Sequence, residues 1–193
     1  MYHAFKAGLR GLKRGFPAVS VHLFLALFFA LGTLFGCLWA FVLRASMGET
    51  LSRLLDSVLP AAAAGPVSAF SVLCELLRWP LLLFLFSLAP CARPAVPALF
   101  FLRGFFLSFA VSALTAAYGA AGLFAAGILF GLSAVCSVPA LFLLGECLYP
   151  RTAPLRIPPG TAILTAGLIL FSFFLEHTAI PALLDPLLKL LIR

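Results

Sequence analysis

Ser133, within Gly131-Leu132-Ser133-Ala134, and His177 are the residues of this chain that could supply a nucleophile and its base, since an intramembrane peptidase needs only a serine and a histidine on packed helices. The surrounding pattern argues against that chemistry. Ala134 follows the serine where the peptidase motif needs Gly, and counting along the apolar runs puts Ser133 mid-membrane and His177 near the outer surface. No H-E-x-x-H, no acidic pair at helical spacing and no phosphate-binding glycine loop occurs. Glu176 and His177 are adjacent, so on a helix they point in diverging directions. The expectation is a protein without catalytic residues, cofactor or metal, and therefore not an enzyme.

Charges inside apolar runs carry more information, because each costs on the order of 2.5–3.5 kcal/mol at a bilayer centre and normally faces a partner or a cavity. Glu75 and Arg78 are three residues apart and can pair on one helix face. Counting places Glu176 and His177 at a similar outer depth, Arg103 in the cytoplasmic third of its run, and Glu146 at a cytoplasmic end. The expected arrangement has Arg78 compensating both Glu75 and Glu176, with Arg103 snorkelling to the interface. The functional alternative is an ion or proton path.

These residues are set in an almost wholly apolar chain. Of 193 residues, 64% are apolar and 10% charged, where a soluble domain has roughly 45–50% and about 25%. The mean hydropathy is +1.18. So little polar surface excludes a soluble globular fold, and the spans leave no room for a separate soluble domain. The net charge of +7 then reports orientation and lipid headgroup contact, and nucleic acid is not an expected partner.

The fold class expected is all-α, a polytopic membrane bundle of five transmembrane helices. Residues 1–18 carry Lys6, Arg10, Lys13 and Arg14, with Phe5, Leu9, Leu12 and Phe16 at helical spacing, and read as a basic amphipathic segment on an anionic leaflet. The bundle covers 19–180, with spans at about 19–43, 68–89, 98–118, 123–144 and 161–180, and a short tail over 181–193. Within the loop 44–66, Glu49 to Leu59 predicts a short interfacial helix, broken by Pro60 and Gly65-Pro66. The stretch from Pro90 to Pro97 reads as a tight turn. Basic residues favour a cytoplasmic N-terminus: Lys6, Arg10, Lys13, Arg14, Arg93, Arg151 and Arg156 fall on that side, against Arg44, Arg53, Lys189 and Arg193.

Two Gly-x-x-x-Gly pairs, Gly32 with Gly36 and Gly127 with Gly131, open helix faces for close contact. Cys37 follows Leu34-Phe35-Gly36 in a pattern like a lipoprotein box, but Phe35 is bulky for a cleavage site and the apolar run continues to Leu43. All five cysteines read as small hydrophobes, with no C-x-x-C pair among them.

Leu99 to Glu146 resembles the stage II sporulation protein M family of endospore-forming bacteria. The resemblance rests on Phe100-Phe101-Leu102-Arg103-Gly104-Phe105-Phe106-Leu107-Ser108-Phe109, similar to the family's F-L-K-G-F-x-x-G-F signature, then Gly119 and Gly122, then Val138-Pro139-Ala140. The first run, Phe24 to Trp39, is similar to the family's opening helix. Arg103 stands where the family usually has Lys, Ser108 replaces its second Gly, and Leu132 to Cys136 replaces a polar element found before the Pro-Ala pair. As packing, Gly104 and Ser108, four apart, open one helix face while phenylalanines fill the others.

The resemblance implies a non-catalytic scaffold of the cell membrane that anchors stage II sporulation proteins D and P at the septal membrane during engulfment. The competing class is a small permease or a membrane subunit of a transporter. A transporter needs a continuous polar path or helices broken at mid-membrane, whereas a scaffold needs a dry bundle with an exposed small-residue groove.

Overall fold

The computed structural model describes residues 18–64, 68–88, 92–149, 157–179 and 182–183, and every regular element among them is helical. The chain begins in α1 (Ala18–Ala64), a single helix of 47 residues, about 70 Å long at 1.5 Å per residue. A separate interfacial helix over Glu49 to Leu59 is therefore not formed. Between Arg44 and Glu49 only Gly48 weakens the helix, and the alanines after Pro60 have the highest helix propensity, so the helix runs through Pro60 to Ala64.

The second element, α2 (Ala69–Leu88), buries Val72, Leu76, Trp79 and Leu83 along one stripe. That spacing follows one face of a helix. The next, α3 (Ala92–Ala126), begins inside the stretch expected as a turn over Pro90 to Pro97. Pro94 falls in its first turn, where a missing N–H has no helical partner to lose, and Pro97 lies one turn further on, where it removes one backbone hydrogen bond without ending the helix.

Gly119 breaks α3, with φ 62° and ψ −135°. Beyond it the chain folds back, since a Cβ on Gly122 would fall on the carbonyl of Leu114. The returning arm contains a π-helical turn, Gly127–Gly131, and then α4 (Leu132–Leu148). Phe100 packs against Phe142 with ring centroids 4.8 Å apart, and Arg103 reaches Ser137. As numbers rise from Phe100 through Arg103 to Leu114 on one arm, they fall from Phe142 through Ser137 to Gly122 on the other, which defines an antiparallel hairpin. The last helix, α5 (Pro159–Phe174), opens with proline in its first turn and passes into a π-helical turn, Leu175–Ala179.

Four stretches are long and apolar enough to cross a membrane: Val21–Arg44, Ala69–Leu88, Pro94–Leu148 and Pro159–Ala179. This is consistent with a multi-pass membrane protein. Leu23, Phe41, Phe70, Val135 and Ile163 are each over 70% exposed, an apolar exterior that lipid solvates and water would not. Inside, Leu25 of α1, Trp79 and Leu83 of α2, Val96, Leu99 and Phe100 of α3, and Leu141 and Leu148 of α4 form one core. The basic segment expected over 1–18 lies outside the described residues except for Ala18, and the tail over 181–193 does so except for Ala182 and Leu183.

The hairpin turn generates a test. A Cβ at Gly119 would meet nothing within 4 Å, so space is not what requires glycine there; the positive φ is. Gly119→Ala is expected to lower stability by about 1–3 kcal/mol, the cost of holding an L-residue in a sparsely populated region. Thermal unfolding in detergent measures it, and an unchanged midpoint would contradict the turn geometry.

Candidate functional site

Two constellations take up the residues singled out by the sequence. The first is the contact between α1 and α3. A side chain on Gly32 would strike the backbone carbonyl of Phe101, one on Gly36 would strike Ser108 Oγ and the Phe105 carbonyl, and one on Gly104 would strike the Phe29 carbonyl. Ser108 Oγ donates to the Thr33 carbonyl at 2.8 Å. Small residues on both helices thus face each other and let the two backbones touch, as expected where lipid supplies no hydrophobic drive for association. Phe29, Thr33 and Cys37 stand beside Gly104, Ser108 and Ser112 in turn, so the two helices run parallel.

The other glycine pair behaves differently. Cβ atoms on Gly127 and Gly131 would meet nothing within 4 Å. These residues bound the π-helical turn, and they make no helix contact of the kind their spacing predicts. Gly145, which no spacing rule marks, is instead packed under the Phe100 ring, whose Cζ lies 2.7 Å from where its Cβ would be.

The second constellation is a polar layer among α2, α3, α4 and α5. Arg103 Nη2 donates to Ser137 Oγ at 3.3 Å, and its guanidinium lies 5.1 Å from the centre of the Trp79 ring, within cation–π range. One turn along α4, Ser133 Oγ donates to a Glu176 carboxylate oxygen and lies 3.1 Å from Ser172 Oγ. Ser172 Oγ in turn donates to the Ser133 carbonyl at 3.3 Å. Ser133 and Ser137 therefore present hydroxyls one turn apart on one helix, one serving the carboxylate and the other the guanidinium.

Charge pairing across this layer differs from the expectation. Among the described residues no ion pair joins Arg78 to Glu75 or to Glu176; the close contact of an acid with a basic side chain is His22 Nε2 with Glu146 Oε2 at 2.7 Å. Arg78 lies instead over Trp79, 5.5 Å from the ring centre, and both it and Glu75 are exposed. Among the described residues Arg103 and Glu176 form no ion pair either; each is held by α4, through Ser137 and Ser133 one turn apart. The physical reason is depth. The hairpin arms are long, and Ser133 lies about halfway between Gly119 and Leu148, so Glu176 reaches the level of Arg103 rather than an outer layer.

Ser133 and His177 are not brought together. The serine hydroxyl is committed to Glu176 and Ser172, while the exposed His177 ring stacks on Phe173 at 5.8 Å between centroids. Cys37, Cys74, Cys136 and Cys147 are free, and among the described residues no three His, Cys, Asp or Glu side chains are grouped to hold a metal. The pair His22 and Glu146, which the sequence reading did not join, ties the start of α1 to the end of α4. Their positions at the same predicted cytoplasmic level were the available signal. Comparison with known protein families, curated proteins and solved structures finds no match to this chain.

Two outcomes follow. Gly104→Leu is expected to cost about 3 kcal/mol, the upper end for overpacking, because the atoms it meets are backbone. Gly127→Leu, facing open space, is expected to stay within about 0.5 kcal/mol. Chemical unfolding in detergent compares them, and equal losses would contradict the α1–α3 contact. In the polar layer, Arg103→Leu removes the charged hydrogen bond to Ser137 and the cation at the level of Glu176, and is expected to destabilise by about 1.5–3 kcal/mol. Adding Glu176→Gln is expected to recover part of that loss. Strict additivity of the two substitutions would show that the charges are independent.

Proposed function

We propose that this chain is a non-catalytic scaffold of the cell membrane with five spans and a cytoplasmic N-terminus. By its resemblance to stage II sporulation protein M, it anchors cell-wall-remodelling partners at the septal membrane during engulfment. The observation that carries this reading is the position of the signature residues. Gly104 and Ser108, which bear the resemblance, are spent on a tight contact with Gly32 and Gly36 of the opening helix. A signature used this way builds a rigid helix pair, and partners are met by what stays open, including the uncovered surface at Gly127 and Gly131.

The count of five rests on the hairpin. Each arm of Pro94–Leu148, divided at Gly119, is long enough for a hydrocarbon core of about 30 Å. The parallel course of α1 and α3 also supports a return crossing between them, and α2 is the apolar helix available for it. The excess of Lys and Arg on alternate connections supports the cytoplasmic N-terminus.

A second reading, a small permease or transporter subunit, is favoured by one specific observation. Arg103 and Glu176 both lie within apolar stretches, and π-helical turns at Gly127–Gly131 and Leu175–Ala179 adjoin Ser133 and contain Glu176. Such turns recur at functional sites, and intramembrane charges mark ion pathways.

Purifying a tagged copy from mild detergent out of sporulating cells separates the two. The scaffold reading expects membrane-anchored wall-degrading proteins, stage II sporulation proteins D and P by resemblance, to co-purify. Absence of any such partner, together with an ion flux in reconstituted vesicles that Glu176→Gln abolishes, would replace it with the transporter.

A further inference from the structure

The helices α1 and α3 touch through backbone only along part of their length. Beyond Gly36 and Ser108 the glycines end while Ser112 still reaches Cys37, and a shallow groove of about 390 Å³ opens between Ala40, Phe41 and Arg44 of α1 and Val111, Thr115 and Ala116 of α3. Its volume falls within the range of about 300–1,000 Å³ typical of small-molecule sites.

The groove's wall chemistry restricts what can occupy it. Thr115 Oγ1 donates to the Val111 carbonyl at 2.8 Å, and Ser112 Oγ donates to Cys37 Sγ at 3.3 Å. These hydroxyls are used within the protein, so the body of an occupant meets an apolar wall, where an unpaired polar group would be costly. One charge lies on the rim. Arg44 is exposed and closes the apolar stretch Val21–Arg44, the position from which a basic side chain reaches lipid headgroups. Guanidinium and phosphate form strong, charge-assisted hydrogen bonds.

We propose that this groove binds one acyl chain of an anionic phospholipid, with the lipid phosphate held by Arg44. The chain lies against Ala40, Phe41, Val111 and Ala116, and the headgroup projects beyond the end of the apolar stretch. Charge complementarity selects an anionic lipid over a neutral one, because Arg44 brings a full positive charge to the rim. The site is independent of whether the protein recruits partners or transports a solute.

The test uses the full chain, reconstituted in nanodiscs of equal phosphatidylglycerol and phosphatidylcholine, with retained lipids counted by native mass spectrometry. The wild type is expected to retain phosphatidylglycerol preferentially. Arg44→Gln is expected to reduce that preference about fivefold, the worth of one basic residue near an anionic headgroup. Ala116→Leu, which narrows the groove, is expected to lose retained lipid of both kinds, with its thermal midpoint checked to show that it is folded. Cys37 lines the groove, so its alkylation by N-ethylmaleimide is expected to slow when phosphatidylglycerol is added, relative to exposed Cys74. Equal retention of the two lipids by the wild type, or unchanged retention in both variants, would overturn the proposal. Protection of Cys37 by inorganic phosphate without lipid would overturn the assignment to a phospholipid.

Discussion

Two helix backbones in direct contact set the rest of this molecule. In lipid, apolar side chains gain little by leaving one apolar surface for another, so helices associate through close packing and interhelical hydrogen bonds. Gly32 and Gly36 on α1, and Gly104 on α3, remove the atoms that would keep the backbones apart, and Ser108 adds a hydrogen bond to the Thr33 carbonyl. The contact fixes register and direction together. Because α1 and α3 run parallel, the segment between them has to return. Because α3 is held at this register, Phe100 sits fully buried against Phe142, Gly145 and Leu25.

The polar layer is the second consequence of that placement. With α3 fixed, Arg103 faces α2 and α4, where Trp79 offers a ring face and Ser137 a hydroxyl. Glu176 answers from the π-helical end of α5 through Ser133. Arg103 and Glu176 carry one charge of each sign, so the layer is balanced when both are ionised. Hydroxyl groups of α4 contact both charges and lower the cost of keeping them out of water. Such a layer holds four helices in one register whether or not an ion ever crosses it.

Much of this was legible in the residues. Apolar runs of spanning length, read as five spans, fall within the four stretches that are long and apolar enough to cross a membrane, because the bilayer imposes a minimum length that composition reveals. The small residues at Gly32, Gly36, Gly104 and Ser108 marked a real helix contact. Gly127 and Gly131 have the same spacing and make none, since spacing shows that a face is open and not that a neighbour occupies it. The interfacial helix and α1 merged because no strong breaker separates Arg44 from Glu49. Charge pairing was the least legible feature. It depends on relative heights of helices, and the long hairpin arms set Glu176 beside Ser133, one turn of α4 from the Ser137 that holds Arg103. Ser133 was conspicuous in sequence as a possible nucleophile, and its neighbours make it a carboxylate's hydrogen-bond donor instead.

Disulfide trapping in native membranes tests the central claim, the parallel contact of α1 and α3, most directly. In a chain with its native cysteines other than Cys37 replaced by alanine, Cys37 paired with Ser112→Cys is expected to cross-link rapidly under mild oxidation, because the Ser112 hydroxyl already lies 3.3 Å from Cys37 Sγ. Cys37 paired with Gly167→Cys, where a Cβ has nothing within 4 Å, is expected to stay reduced. Preferential cross-linking of the second pair would contradict the account, since it would place α1 against α5 and leave the signature of α3 without its partner.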